Sequence, residues 1–262
     1  MDDYQIAVVG LGTIGAKLLS YLTIKGANTI GLTTGKVHEK RALILNHLTK
    51  SVSNIDTEKH RFVVVNDFAQ LANADLVIDA TPEDYSIKQN TYSCIISVVK
   101  PSCVIASTSS SLNLQKLNSY CSPNKLFGLH FFNPPDKMKL VEISIPQSDE
   151  HIDVAIDVLR QIINDKEIIL MPCIQGYICN RLLFIYLNAA FNYHQQSGIL
   201  IPDIDKAMEL GTNMPMGPFR LSDYIGNDVT LSILETFFNE LDDPSYKPSS
   251  VIQEVVQRGL LG

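Results

Sequence analysis

A glycine-rich segment directly after an apolar run is the feature that most constrains the fold of this chain. The run Tyr4–Val9 has the composition of a strand and leads into Gly10-Leu11-Gly12-Thr13-Ile14-Gly15, after which Ala16–Lys25 has the apolar spacing of a helix. A G-x-G-x-x-G segment between a strand and a helix predicts a dinucleotide-binding βαβ unit. The first glycine permits the tight turn, the second leaves room for the pyrophosphate, and the third lets the helix approach the strand. The predicted contacts of this loop with the dinucleotide are Gly10, Gly12, Thr13, Ile14 and Gly15.

Short apolar runs alternate with helical stretches through the first 175 residues, which predicts a mostly parallel sheet with helices on both faces. The expected fold is α/β, a Rossmann-type doubly wound sheet. The further predicted strands are Thr29–Thr33, Arg61–Val65, Asp75–Ala80, Cys103–Ser107, Lys125–Phe132, Lys139–Ile145 and Glu167–Met171. The predicted helices between them are Lys36–Lys50, Asp67–Ala72, Asp84–Val99 and His151–Asn164.

The pattern changes near Gln175, because no convincing strand follows Gly176. The predicted helices are Arg181–Gln195, Pro202–Gly211, Val229–Leu241 and Ser250–Gly259. We therefore expect a dinucleotide-binding domain over residues 1–174 and an all-helical C-terminal domain over residues 175–262.

Composition excludes several classes of partner. The net charge of −7 and the pI near 5.3 argue against nucleic acid, which requires a basic surface. No apolar run reaches the roughly 18 residues of a membrane span, and no secretory signal precedes the first strand. The five cysteines form no C-x-x-C pair, so we expect reduced thiols in the cytoplasm and neither a disulfide framework nor a metal site.

The end of the second predicted strand leaves the choice of dinucleotide open. NAD-binding folds usually carry Asp or Glu there to bind the ribose 2′-hydroxyl. Here the segment is Leu32-Thr33-Thr34-Gly35-Lys36, without a carboxylate. Thr33 and Lys36, with Lys40 and Arg41 nearby, could accept the 2′-phosphate of NADP, or the cations could be solvated helix residues. The expected cofactor is NAD or NADP.

A histidine and a glutamate lie on two successive predicted strands. His130 and Glu142 flank the connection Asn133-Pro134-Pro135. An enzyme that transfers a hydride from an alcohol needs a base for the hydroxyl proton, and imidazole titrates close to neutral pH. A carboxylate on the other ring nitrogen would fix the tautomer and stabilise the imidazolium. This pair predicts a catalytic base and its partner.

Several long motifs resemble those of the L-3-hydroxyacyl-CoA dehydrogenases, and together they span nearly the whole chain. They are Gly128–Pro134 with Met138–Ile143, Ser107–Leu112, Gly176–Leu183, Pro215–Phe219 and Asp223–Gly226. The resemblance implies an NAD(P)-dependent oxidoreductase that acts on C3 of a 3-hydroxyacyl thioester. It also implies a homodimer.

By this resemblance His130 is the general base and Glu142 its partner, while Ser110 and Asn180 bind the substrate hydroxyl and thioester carbonyl. Within the serine run the register could differ by one, which leaves Ser109 and Ser111 as alternatives. The further cofactor contacts that it implies are Ala80, Glu83, Lys88 and Asn133.

The segment between Thr33 and Arg61 departs from the family. Family members usually carry a long helical hairpin there that helps bind coenzyme A, whereas this chain has 27 residues (34–60). A substrate tethered to an acyl carrier protein is therefore an alternative to a CoA ester. A second alternative is a dinucleotide-binding subunit without catalysis.

Overall fold

The computed structural model describes residues 4–51 and 61–262. The chain divides into two compact units, Met1–Gln175 and Gly176–Gly262. The first is named here the dinucleotide-binding unit and the second the helical unit.

One eight-stranded sheet forms the centre of the dinucleotide-binding unit. Its order is β3-β2-β1-β4-β5-β6-β7-β8, and every neighbouring pair is parallel except β6 and β7. This confirms the predicted α/β fold with a mostly parallel, doubly wound sheet. The strands are β1 (Gln5–Val9), β2 (Asn28–Leu32), β3 (Phe62–Val65), β4 (Leu76–Asp79), β5 (Val104–Ser107), β6 (Lys125–Phe131), β7 (Leu140–Ile145) and β8 (Glu167–Pro172).

Helices connect most of these strands, whereas β6 and β7 are joined by a loop, and side chains at the first turns explain where several helices begin. The helices are α1 (Thr13–Ile24), α2 (Val37–Ser51), α3 (Tyr85–Ile96), α4 (Leu114–Ser119) and α5 (Glu150–Ile162), with a 3-10 turn at Phe68–Leu71. Asp84 accepts hydrogen bonds from the Ser86 and Ile87 amides, and Asn113 caps α4 in the same way. Helix α4 was absent from the sequence prediction, because six residues are too few to display an apolar period.

The central strands are buried on both faces. Ile6 and Ala7 on β1 and Leu76 and Val77 on β4 have no exposed surface, and successive residues of a strand point to opposite faces. Helices cover both faces of a parallel sheet, so its strands are continuous apolar runs rather than alternating ones. This leaves the carboxyl ends of the strands as the accessible edge, where ligands of open α/β sheets bind.

The helical unit packs around aromatic side chains. Phe184 and Phe237 meet edge to face with centroids 6.3 Å apart, as do Phe191 and Phe219 at 5.0 Å. Its helices are α6 (Tyr177–Ser197), α7 (Ile201–Thr212), α8 (Pro218–Ile225), α9 (Asn227–Leu241) and α10 (Ser250–Gln257), with a 3-10 turn at Pro244–Tyr246. Helix α8 was absent from the prediction, although Pro218 occupies a first-turn position that proline favours.

Residues 4–51 and 61–262 contain neither a membrane-spanning helix nor a cluster of metal ligands. No helix there combines the length and the apolar character that crossing a bilayer requires. Within the same residues, no group of three or more His, Cys, Asp or Glu side chains could hold a metal ion.

Candidate active site

The glycine loop has the shape that a pyrophosphate requires. Gly10 has φ +94°, and a Cβ there would lie 2.8 Å from the Ala80 carbonyl carbon and oxygen. A Cβ on Gly15 would meet the Gly10 oxygen at 2.0 Å, whereas a Cβ on Gly12 would meet nothing within 4 Å. Only glycine fits the first and third positions, and the second faces open space.

Helix α1 begins directly after this open position. Its first turn contains no acidic residue, and no side chain caps its amides. Thr13 and Ile14 in that turn are exposed. Uncapped amides and the positive end of a helix dipole attract phosphate, so the loop and this turn fit a dinucleotide. Ala80, another predicted contact, forms the backbone wall behind Gly10.

The end of β2 carries no carboxylate. Thr33 is 5% exposed, and its Oγ1 accepts a hydrogen bond from the Gly35 amide at 3.0 Å. The Lys36 ammonium lies 2.9 Å from Glu39 Oε1, on exposed side chains. The Thr33 hydroxyl is thus engaged in the turn, while Lys36 faces solvent.

A buried ion pair lies at the carboxyl end of β4. The Lys88 Nζ donates to Asp79 Oδ2 at 2.8 Å, and neither side chain is exposed. The Tyr92 hydroxyl donates to the same oxygen at 2.7 Å, and the Thr81 amide donates to Oδ1 at 2.9 Å. Burial first, then the Asp79 charge, raises the pKa of Tyr92 well above its usual range.

Lys88 is buried, whereas a residue that contacts the cofactor, as predicted for Lys88, would be accessible. Its ammonium has no accessible surface and bonds Asp79 and the Thr81 carbonyl. Lys88 therefore stabilises the carboxyl end of β4 through these buried bonds. One signal in the sequence could have predicted this network, because Asp79 is a charged residue inside the apolar run Leu76–Ala80.

One oxygen of Glu83 organises the serine loop that follows β5. Glu83 Oε1 accepts from the Ser110 amide at 2.9 Å, the Ser111 amide at 2.6 Å and the Leu112 amide at 3.3 Å. The Ser109 and Ser111 hydroxyls donate to it at 2.9 and 2.8 Å. Glu83 therefore orders the serine loop, and this role differs from the predicted one of contacting the cofactor.

The same bonds separate the three candidate serines. Ser109 and Ser111 are 1% and 3% exposed, and their hydroxyls bond Glu83. Ser110 bonds Glu83 through its amide and is partly exposed. Of the three, Ser110 is the residue whose side chain the loop leaves accessible to a substrate.

His130 and Glu142 face each other across the antiparallel pair β6 and β7. They are direct partners in the register, and His130 Nδ1 lies 2.7 Å from Glu142 Oε2. The His130 side chain is 9% exposed and that of Glu142 is fully buried. The ring of Phe132 lies 4.7 Å from the imidazole, centroid to centroid. A carboxylate accepts the Nδ1 proton, which makes Nε2 the basic nitrogen.

Asn133 links this strand to the dinucleotide loop. It follows β6, and its Oδ1 accepts from the Lys17 ammonium on α1 at 3.2 Å. The segment after His130 is therefore held against the helix that begins at the glycine loop. This position is compatible with the predicted contact of Asn133 with the cofactor.

Two family profiles cover almost the entire chain. The profile described as "3-hydroxyacyl-CoA dehydrogenase, NAD binding domain" matches residues 5–172, and its C-terminal counterpart matches residues 176–262. The chain belongs to the 3-hydroxyacyl-CoA dehydrogenase family. The predicted family, the NAD(P)-dependent oxidoreductase class and the NAD(P) cofactor are thereby confirmed.

Individual members of the family match over nearly their full lengths. A probable 3-hydroxybutyryl-CoA dehydrogenase of Deinococcus radiodurans is 33% identical over 91% of this chain and 83% of its own length. The 3-hydroxybutyryl-CoA dehydrogenase of Clostridioides difficile is 29% identical, over 98% and 95%. The crystal structure of (S)-3-hydroxybutyryl-CoA dehydrogenase from Ralstonia eutropha superposes with a TM-score of 0.91 at 29% identity, over 98% and 95%.

Asn180, the remaining predicted site residue of this dehydrogenase, belongs to the helical unit. It lies in the first turn of α6 and is half-buried. Gly176 precedes it with φ +84°, and a Cβ there would lie 2.4 Å from the Phe237 ring. The position of this turn in its own unit is therefore fixed by a glycine that no other residue can replace.

Proposed function

We propose that this protein catalyses the reversible oxidation of a 3-hydroxyacyl-CoA to the 3-oxoacyl-CoA, with His130 as the general base. The contact of His130 with Glu142 at 2.7 Å carries this proposal. A neutral imidazole with one nitrogen bonded to a carboxylate has its other nitrogen as the proton acceptor.

The proton transfer follows from this geometry. NAD(P)⁺, when bound, supplies the acceptor of the hydride that leaves C3. His130 Nε2 accepts the proton of the C3 hydroxyl, and Glu142 stabilises the imidazolium that results. Ser110 is assigned to the substrate hydroxyl because its side chain is accessible. Asn180 is assigned to the thioester carbonyl by family membership alone.

A basic cavity supports a CoA ester as substrate. A cavity of about 320 Å³ between α1, α2 and residues 134–137 is lined by the cations Lys17, Lys50 and Lys137 and by the carboxylate of Asp136. Burial, then the charges of Lys17 and Lys50, lowers the pKa of His47 on the same wall. A positive cavity beside the segment that follows His130 suits the phosphates of coenzyme A.

Turnover of paired substrates tests the proposal. We expect reduction of acetoacetyl-CoA, measured by the loss of NADH or NADPH absorbance, with a higher kcat/KM than for acetoacetyl-acyl carrier protein. A preference for the carrier-linked substrate would favour the alternative of a substrate tethered to an acyl carrier protein, which the short 34–60 segment suggests. Cofactor binding without turnover of either substrate would favour a non-catalytic subunit.

We also propose a homodimer formed through the helical unit, in the cytoplasm. Helices α6 and α7 border an apolar cavity of about 560 Å³. The same helices expose Leu182 at 67% and Leu210 at 76%. Exposed apolar side chains on these two helices support a protein interface. The five free thiols support a reducing compartment.

A further inference from the structure

The turn after β2 lies where the adenosine ribose of a dinucleotide is recognised. The Gly10 amide donates to the Leu32 carbonyl at 3.0 Å, and Val9 pairs with Leu32 in the sheet. Residues 33–36 therefore adjoin the glycine loop. In dinucleotide-binding folds an acidic residue at this place bonds the ribose 2′-hydroxyl of NAD, and a cation accommodates the 2′-phosphate of NADP.

The side chains of this turn lack the group that favours NAD. Residues 32–36 contain no carboxylate, and the place after the strand is taken by Thr33, whose hydroxyl oxygen accepts the Gly35 amide. A carboxylate here would hold a diol and would repel a dianionic phosphate. Without a carboxylate, the turn lacks the acceptor that would bind the ribose diol of NAD. It also lacks the negative charge that would repel the 2′-phosphate of NADP.

Instead of a carboxylate, this part of the chain carries two ammonium groups, those of Lys36 and Lys40, on one face. The Lys40 amide donates to the Lys36 carbonyl at 3.2 Å, so the two lysines are one helical turn apart and share a face. Lys40 lies over the turn, because a Cβ on Gly35 would be 3.9 Å from its Cε. Arg41 is engaged elsewhere, with its guanidinium 5.9 Å from the centre of the Phe62 ring.

Lys36 can exchange its present partner for a phosphate. It bonds Glu39 at 2.9 Å, but the two side chains are 70% and 58% exposed. Such exposed pairs contribute little and are readily replaced. Lys40 adds a second positive charge to this face although the chain as a whole carries −7. Lys36, Lys40 and Arg41 together with Glu39 give residues 36–41 a net charge of +2, which favours an added anion.

We propose that this dehydrogenase prefers NADP(H) to NAD(H), with Lys36 and Lys40 binding the 2′-phosphate at the Thr33–Lys36 turn. The inference rests on the proposed function, since it concerns the dinucleotide that serves the same reaction. It adds the identity of the cofactor and the residues that select it.

Equilibrium titration of the protein with NADH and with NADPH tests this preference without any acyl thioester. Protein and cofactor fluorescence give both dissociation constants. We expect NADPH to bind at least about tenfold more tightly, because two charge-assisted hydrogen bonds to the phosphate are added. We also expect 2′,5′-ADP to displace the cofactor better than 5′-ADP does. Equal or tighter binding of NADH would overturn the proposal.

Variants locate the preference in this turn. The double variant Lys36→Ala/Lys40→Ala should lower the NADPH preference about tenfold. Arg160→Ala is the matched control, because it removes another exposed pair three residues apart, with Asp157 at 3.1 Å, and should leave the preference unchanged. A double variant that retains the wild-type preference would overturn the assignment of the two lysines.

A gain of negative charge provides the reciprocal test. Thr33→Asp keeps an oxygen for the Gly35 amide and should reverse the preference toward NADH. Thr34→Asp, at the exposed neighbouring position, serves if the first variant does not fold. An unchanged preference in folded variants would contradict the proposal. A wild-type protein that binds neither cofactor would instead contradict the proposed function.

Discussion

At the scale of single residues, the catalytic proposal depends on the hydrogen bond between Nδ1 of His130 and the carboxylate of Glu142. The sequence predicted this pair because two strands flank a short connection, and the register places the two residues directly opposite. The burial of the pair could not be predicted from the sequence. Glu142 is fully buried and His130 nearly so, which strengthens their interaction relative to an exposed pair.

Glu142→Gln tests the charge of this partner at nearly constant shape. The amide oxygen can still accept from Nδ1, but it cannot stabilise an imidazolium. We expect kcat to fall about 10- to 100-fold, the equivalent of roughly 1.5–3 kcal/mol for a hydrogen bond to a charged group. Steady-state kinetics with a cofactor titration measures this. A kcat within twofold of wild type would show that the carboxylate charge is not used.

At the scale of elements, the strand ends bring together residues that are far apart in the chain. Glu83 follows β4, and its single oxygen gathers five donors from the loop after β5. Both strands were predicted from the sequence, but a sequence pattern does not contain the hydrogen bonds between their ends. Helix α4 was missed because a six-residue helix carries too few apolar positions, whereas α8 was missed although α10, of the same length, was predicted.

Variants of Glu83 test whether it positions Ser110. Glu83→Ala removes the acceptor, so we expect the loop to shift and kcat/KM to fall about 10- to 100-fold. Glu83→Gln retains a carbonyl oxygen and should recover most of the kcat. Glu167→Gln, an exposed carboxylate on β8, is the control. A lowered Tm in Glu83→Ala with unchanged kinetics would assign Glu83 to stability alone.

At the scale of the molecule, the chain divides between Gln175 and Gly176, one residue from the boundary expected after residue 174. The Rossmann-type fold followed from the glycine loop and the strand–helix alternation. The exposed apolar side chains of α6 and α7 were visible only in the structure, because the sequence does not show which apolar residues of a helix its own unit leaves exposed.

Leu182→Glu/Leu210→Glu tests the proposed dimer. Charges on these exposed apolar positions should convert a species of twice 29.1 kDa into the monomer, because desolvating them would be costly. Sedimentation equilibrium gives the mass, and Val154→Glu, on an exposed apolar residue of the other unit, is the control. A wild-type monomer, or a double variant that remains dimeric, would contradict this interface.

The central claim is that the imidazole of His130 accepts the substrate proton, and kcat of His130→Ala with a 3-hydroxyacyl-CoA tests it most directly. His130→Gln, which keeps a donor for the buried Glu142, should be measured beside it. We predict a fall in kcat of roughly 10²–10⁴ in both, with the dissociation constant of the cofactor within about twofold of wild type. A folded variant that retains kcat within tenfold of wild type would contradict the claim.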